Sequence, residues 1–218
     1  MTLALFDLDH TLLDGDSDYL WGQFLVEQGI VDGDDYEQRI QEFFDQYQAG
    51  TMDIHAFLSF QLAPLAEHPV ERLEAWRARF ITERIAPIIL PAAHRLIAQH
   101  RSEGRTPVII TATNSFITAP IAERLGVPHL LATEPEMVDG RYTGRPAGIP
   151  CYRDGKVKRL EAWLEKHGES LTGSWFYSDS HNDLPLLERV DHPVAVDPDD
   201  RLRREAARRG WDVISLKS

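Results

Sequence analysis

The sequence predicts an α/β fold: a Rossmann-like parallel sheet with helices on both faces, plus an all-helical cap inserted after the first strand. Three observations carry this. Short apolar runs at 2–6, 107–113, 129–133 and 192–196 read as buried strands. Segments with apolar residues three and four apart alternate with them, the pattern of a parallel sheet covered by helices. From residue 16 to residue 86 no strand pattern occurs.

The first run ends in acid. Asp7 and Asp9 are two apart, so on an extended chain both side chains leave the same side. Neighbouring carboxylates repel, and a hard divalent cation such as Mg²⁺ relieves the repulsion. Taken alone, the pair reads equally as the start of a polar turn. Gly15 among acids marks a turn, and Asp16 or Ser17 can cap a helix. Tyr19, Leu20, Gln23, Phe24 and Glu27 form a helical face that stops at Gly29. From Asp34 to about Pro87 the helical spacing continues through Phe43, Tyr47, Phe57, Leu62, Leu73 and Phe80, with breaks at Gly50, Pro64 and Pro69. The expected division is therefore a core of 1–15 and 87–218 and a helical cap of 16–86, placed over the strand ends like a lid.

The core elements follow in turn. A helix from Pro91 closes at Gly104, and the strand 107–113 precedes a helix that Ser115 caps and Gly126 stops. A short strand at 129–133 is followed by a hairpin around Asp139-Gly140. Residues 156–167 are helical, with Leu160, Trp163 and Leu164 on one face, and 174–179 is a strand that again runs into acid. A short helix at 184–189, a strand at 192–196, a helix at 199–209 and a strand at 211–216 complete the chain.

The formal net charge of -12 argues against nonspecific binding to nucleic acid or to an anionic membrane. The one cysteine, Cys151, forbids an internal disulfide and reads as a packing or surface residue. No secretory leader pattern and no membrane-spanning apolar run occur, so a cytoplasmic protein is expected. Arg201, Arg203, Arg204, Arg208 and Arg209 form a basic helix face that nearby acids balance. His10 and His181 lie in polar loops, which explains them as well as substrate contact does.

Separate strands thus end in chemically matched groups: Asp7 and Asp9; Thr111, Thr113 and Asn114; Ser178, Asp179, Asn182 and Asp183. With these residues the chain resembles the haloacid dehalogenase superfamily of phosphatases over nearly its whole length. Asp7-Leu8-Asp9-His10-Thr11 matches D-x-D-x-T, Thr111 the threonine after a hydrophobic strand, Lys156 the lone basic residue, and Ser178-Asp179-Ser180-His181-Asn182-Asp183 is similar to G-D-x-x-N-D, with Ser178 where glycine is commoner. Lys158 competes for the basic role, but Lys156 keeps the better register with Leu160. The helical insertion is similar to that of the subgroup containing phosphoserine phosphatases and related amino-alcohol phosphatases.

The resemblance implies roles. Asp7 would be the nucleophile that forms an aspartyl-phosphate. Asp9 would protonate the leaving alkoxide, then activate water, and would lend its backbone carbonyl to the metal. Asp7, Asp9 and Asp179 would hold Mg²⁺, with Asp183 and Asn182 supporting the metal site. Thr111, Ala112 and Lys156 would bind the phosphoryl oxygens. The implied substrate is a small phosphorylated metabolite. Asp16 and Asp18 on the cap side suit a cationic substrate end, and no cap arginine is committed to a carboxylate, which favours histidinol phosphate over phosphoserine. A phosphotransferase or mutase, or a silent binding protein of the same fold, remains open at this level. Nothing in the sequence specifies an oligomeric state.

Overall fold

A computed structural model describes residues 2–217. Seven strands form one sheet in the order β4-β3-β2-β1-β5-β6-β7. They are β1 (Leu3–Phe6), β2 (Thr106–Asn114), β3 (His129–Val138), β4 (Arg141–Ala147), β5 (Trp175–Ser178), β6 (His192–Val196) and β7 (Asp212–Ile214). All neighbours pair parallel except β3 and β4. β1 lies between β2 and β5, with Phe6 opposite Ile109 on one side and Tyr177 on the other. Chain order moves outward from β1 in one direction and later in the other. The carboxyl end of β1 is therefore a topological switch point, where open α/β sheets bind ligands.

All four β1 residues are fully buried, which is why the sequence shows an unbroken apolar run rather than alternation. Leu3 and Leu5 face a core shared with α7 (Asp154–His167), α8 (Leu184–Leu187) and α9 (Asp200–Arg209). Ala4 and Phe6 face the opposite core, filled by α5 (Pro91–Ser102), α6 (Ser115–Arg124) and the insertion. The two residue sets alternate along the strand, as pleating requires.

The insertion comprises α1 (Ser17–Glu27), α2 (Gly33–Ala49), α3 (Ile54–Glu67) and α4 (Val70–Phe80), then a π-helical turn at Ile81–Ile85 and a 3₁₀ turn at Ala86–Ile88. Asp16, Asp32 and Asp53 cap the first three helices by accepting backbone N–H bonds. The chain leaves and re-enters the core side by side: Leu13 bridges Ile89, and Asp14 N donates to Ile88 O at 2.8 Å. Trp21 of α1 stacks on Phe24 and meets Phe80 of α4 and Phe116 of α6 edge-on at centroid distances of 5.1 and 5.8 Å. This cluster joins the insertion to the core. At the other end α3 packs on β4 so closely that a Cβ on Gly144 would lie 3.3 Å from Ala66 Cβ, and Gly144 also has φ +76°.

Local details depart from the sequence reading. Pro64 does not break the chain; it lies inside α3. An interior proline costs about 3 kcal/mol, whereas each buried leucine contributes about 1.5–3 kcal/mol, and Leu58, Leu62 and Leu65 of this helix are all buried. Asn114, not Ser115, caps α6, its side chain accepting from Ile117 N. The 129–133 run and the start of the expected hairpin are one strand, β3, and Asp139 and Gly140 have φ 48° and 76°, the two positive values of a type I′ turn. β7 is shorter than expected. Among the described residues no helix is long and apolar enough to cross a membrane.

The aromatic cluster sets a stability test. Phe80→Ala should lower the unfolding free energy by about 3–5 kcal/mol in urea titration, the cost of emptying a filled core site; a loss near zero would show that the cluster does not hold the insertion.

Candidate active site

Asp7 follows β1 directly, and its N–H continues the ladder by donating to Tyr177 O at 2.9 Å. Asp9 sits one turn further on, before His10, whose φ of 56° bends the chain back. The Asp9 carboxylate accepts from Ser17 N at 2.6 Å and from Thr113 Oγ1 at 2.8 Å, so α1 and β2 both fix it. Thr111 is buried at the end of β2, its hydroxyl accepting from Thr113 N. After β5, Asp179 N donates to Thr11 Oγ1 at 3.1 Å and Thr11 Oγ1 approaches Asp179 Oδ1 at 3.2 Å. That contact accounts for the threonine of the first segment.

Lys156 reaches this cluster from the first turn of α7. Its Nζ donates to Asp7 Oδ1 at 3.0 Å and Asp183 Oδ2 at 2.7 Å. Ser178 Oγ donates to the same Asp183 oxygen at 2.7 Å. Lys158 is exposed on the far side of the turn. Asp7, Asp9, Thr111, Ala112, Lys156, Asp179, Asn182 and Asp183 all line one cavity, with Asp16 and Asp18 in its cap-side wall. Asp183 is engaged by Lys156 and Ser178, and Asn182 by Tyr152, Arg153 and Tyr47 O.

The cluster is electrostatically unbalanced. Burial pushes Asp7 well above the usual carboxylate range; Lys156 opposes that shift, and Asp183 and Asp179 add to it. Burial and Asp183 raise Asp179 to about 7, against the pull of His10 and Thr11. Burial works against the charge on Lys156, but Asp183 and Asp7 overcome it and leave its pKa above the ordinary lysine value. Buried carboxylates in excess of the ammonium call for a further cation. Among the described residues no three acid, histidine or cysteine side chains converge as a ready metal cage. Two carboxylates, Asp7 and Asp179, beside a cavity fit Mg²⁺ nonetheless, because that ion is commonly held by one or two carboxylates, waters and substrate phosphate.

The far wall comes from the insertion. Phe43, Phe44 and Tyr47 of α2 and Phe57 of α3 supply apolar surface. Asp16 is pushed up to about 6 by burial and by Asp9. Asp18 is buried and lies well above the usual range through burial and Asp16; its Oδ1 accepts from Gln61 Nε2 at 2.7 Å. Tyr36 OH donates to Gln61 Oε1 at 2.9 Å and so fixes the amide. Among the described residues lining the cavity, Lys156 is the one lysine or arginine. Sequence reasoning assigned Phe43, Tyr47 and Phe57 to packing and left Gln61, Tyr152 and Arg153 without a role. Helical spacing shows which side chains face inward, but not that the inward face meets a cavity.

Two carboxylates after β1, a buried threonine of β2, a lysine of α7 and the carboxylates of the loop after β5 thus meet in one cavity at the switch point of the sheet. A family model for haloacid dehalogenase-like hydrolases matches residues 4–188. The chain is 43% identical over 219 residues to histidinol-phosphatase of Neisseria meningitidis serogroup C (strain 8013), covering 99% of both. It is 33% identical to phosphoserine phosphatase SerB1 of Mycobacterium tuberculosis (strain ATCC 25618 / H37Rv), covering 98% of this chain and 70% of that one. A crystal structure of a protein from Bordetella pertussis Tohama I superposes with a TM-score of 0.92 at 46% identity, covering 99% of this chain and 100% of that one. The chain belongs to the haloacid dehalogenase-like hydrolases, and within them it is a phosphatase.

The charge imbalance predicts a pH-dependent metal response. The folded pKa of Asp179, about 7, lies above its unfolded value, so ionising it costs stability as pH rises through that point. A bound cation offsets this cost. Mg²⁺ should therefore raise Tm more at about pH 8 than at about pH 5.5, read by differential scanning fluorimetry; a gain that shrinks with rising pH would refute the assignment of Asp179.

Proposed function

We propose that this chain is a Mg²⁺-dependent phosphomonoester hydrolase that works through phospho-Asp7 and prefers histidinol phosphate. The Asp7 carboxylate attacks phosphorus, and the P–O bond to the alcohol breaks. Lys156 favours the ionised form of Asp7 against its burial and, with Thr111 and the Ala112 backbone, receives the phosphoryl oxygens. Asp183 and Ser178 hold Lys156 in place. Asp9, fixed by Ser17 N and Thr113, gives its proton to the leaving alkoxide and then takes one from the water that cleaves the acyl phosphate. Asp7, Asp179 and the backbone carbonyl of Asp9 would hold Mg²⁺, which would supply charge neutralisation at the phosphoryl group. The helical insertion over the strand ends keeps bulk water from the acyl phosphate.

One observation carries the substrate: the wall remote from Lys156 offers Asp16, Asp18 and aromatic rings, and no arginine. Phosphoserine brings a carboxylate, which such a wall repels and which arginine would best receive. Histidinol phosphate brings an ammonium for the acids and a flat imidazole for the aromatic surface. The name of the 43%-identical Neisseria relative agrees with this reading.

Asp7→Asn should lower turnover roughly a thousandfold or more while circular dichroism stays native, because an amide does not replace a carboxylate nucleophile. Near-native turnover in purified variant would remove Asp7 from the mechanism. In steady-state assays kcat/KM should be at least about tenfold higher for histidinol phosphate than for phosphoserine, the scale of a charge pair made or left unmade. Asp16→Asn and Asp18→Asn should each raise KM for histidinol phosphate and spare an aryl phosphate. Equal effects on both substrates would mean that the acids do not read the cation.

A further inference from the structure

Among the polar contacts that fasten the carboxyl end of α2 to the core, the shortest comes from an arginine in an unfavourable place. Arg153 is the N-cap of α7, with φ 50° and ψ -119° and no side-chain capping bond. A bulky L residue rarely adopts positive φ, and a cation at a helix N-terminus meets the wrong end of the dipole. Two local costs therefore fall on one residue, and its side chain shows what offsets them. Nε donates to Asn182 Oδ1 at 2.9 Å, and Nη2 donates to Gly50 O at 2.6 Å. Gly50 ends α2 with φ 71°, where helix carbonyls lack intrahelical partners. A Cβ there would lie 2.7 Å from Arg153 Nη2, so glycine is needed for the approach as well as for the turn. Asn182 closes the circuit: its Nδ2 lies 3.3 Å from Tyr47 O, and Tyr47 OH donates to Ser180 Oγ at 3.0 Å. Arg201 Nη1 adds a longer contact to Ala49 O at 3.4 Å.

We propose that Arg153 is a positioning residue that seats the helical insertion on the loop after β5, spanning Asn182 and Gly50 so that enclosure of the substrate and orientation of Asn182 are one event. The kinetic part rests on the substrate proposed above; the seating itself does not. Tyr47 lies both in the cavity wall and in this circuit. A substrate that fills the wall is therefore enclosed only while the α2 end is docked. The planar fork makes the span, since its donors sit on separate nitrogens, Nε and Nη2, whereas the three donors of a lysine leave one atom and reach only acceptors that converge on it.

Two variants test this in the full chain, by amide hydrogen exchange and by steady-state kinetics. Arg153→Lys keeps charge without the fork. Arg153→Gly removes the guanidinium and adopts φ 50° without strain. In both, amides of residues 44–51 should exchange about tenfold faster than in the wild type, the effect of losing a charge-assisted bond, while β1 and β2 exchange as before. Tm of Arg153→Gly should equal or exceed that of the wild type. KM for the amino-alcohol phosphate should rise about tenfold with kcat little changed. A merely structural role predicts instead a lower Tm in Arg153→Gly and faster exchange throughout. Unchanged exchange at 44–51, or a fall in kcat with KM intact, overturns the proposal. Wild-type protein that hydrolyses neither histidinol phosphate nor phosphoserine overturns the substrate reading, and the exchange result then still decides the seating.

Discussion

The ammonium of Lys156, buried between Asp7 and Asp183, is the contact on which the site depends. Removing one partner of such a pair costs about 3–5 kcal/mol, because an uncompensated charge stays buried. Its position follows from the sheet order. β1 delivers Asp7, β5 delivers the loop carrying Asp183, and α7 returns against the same face with its first turn at both acids. Ser178, at the end of β5, donates to Asp183 and so fixes the second anchor. One cation thereby registers three elements distant in sequence and leaves an excess of buried carboxylates around it.

Two ends of the cavity do different work. The sheet side is polar, and Asp9, Lys156 and Asp183 are each held there by two hydrogen bonds. The insertion side is aromatic and acidic, built on helices held to the core by the aromatic cluster, by the packing of α3 on β4 and by polar contacts at the end of α2. Under the proposed function the first would carry the phosphoryl chemistry and the second the choice of substrate.

The sheet and its acidic strand ends were legible because burial on both faces leaves an apolar run, and the acids that stop it stand out. Lys156 was separable from Lys158 because helical register decides which one points inward. The wall was less legible: Phe43 and Tyr47 have the same spacing whether they meet a core or a cavity. Pro64 misled because the breaker rule is local, while burial of the leucines around it is tertiary. Arg153 carried no signal, since residue type says nothing of a positive φ that contacts from two distant segments maintain.

The bridge between Leu13 and Ile89 has a consequence for how the chain assembles. Leu3 and Thr106 are partners in the sheet although the whole insertion separates them in sequence. Closing so long a loop is entropically costly and slows folding. The Leu13–Ile89 bridge and the Asp14–Ile88 bond hold the two ends of the insertion together, so only short stretches join that stem to β1 and to the helix before β2. Seen from the sheet, the stem makes a strand pair that is distant in sequence a near one in space.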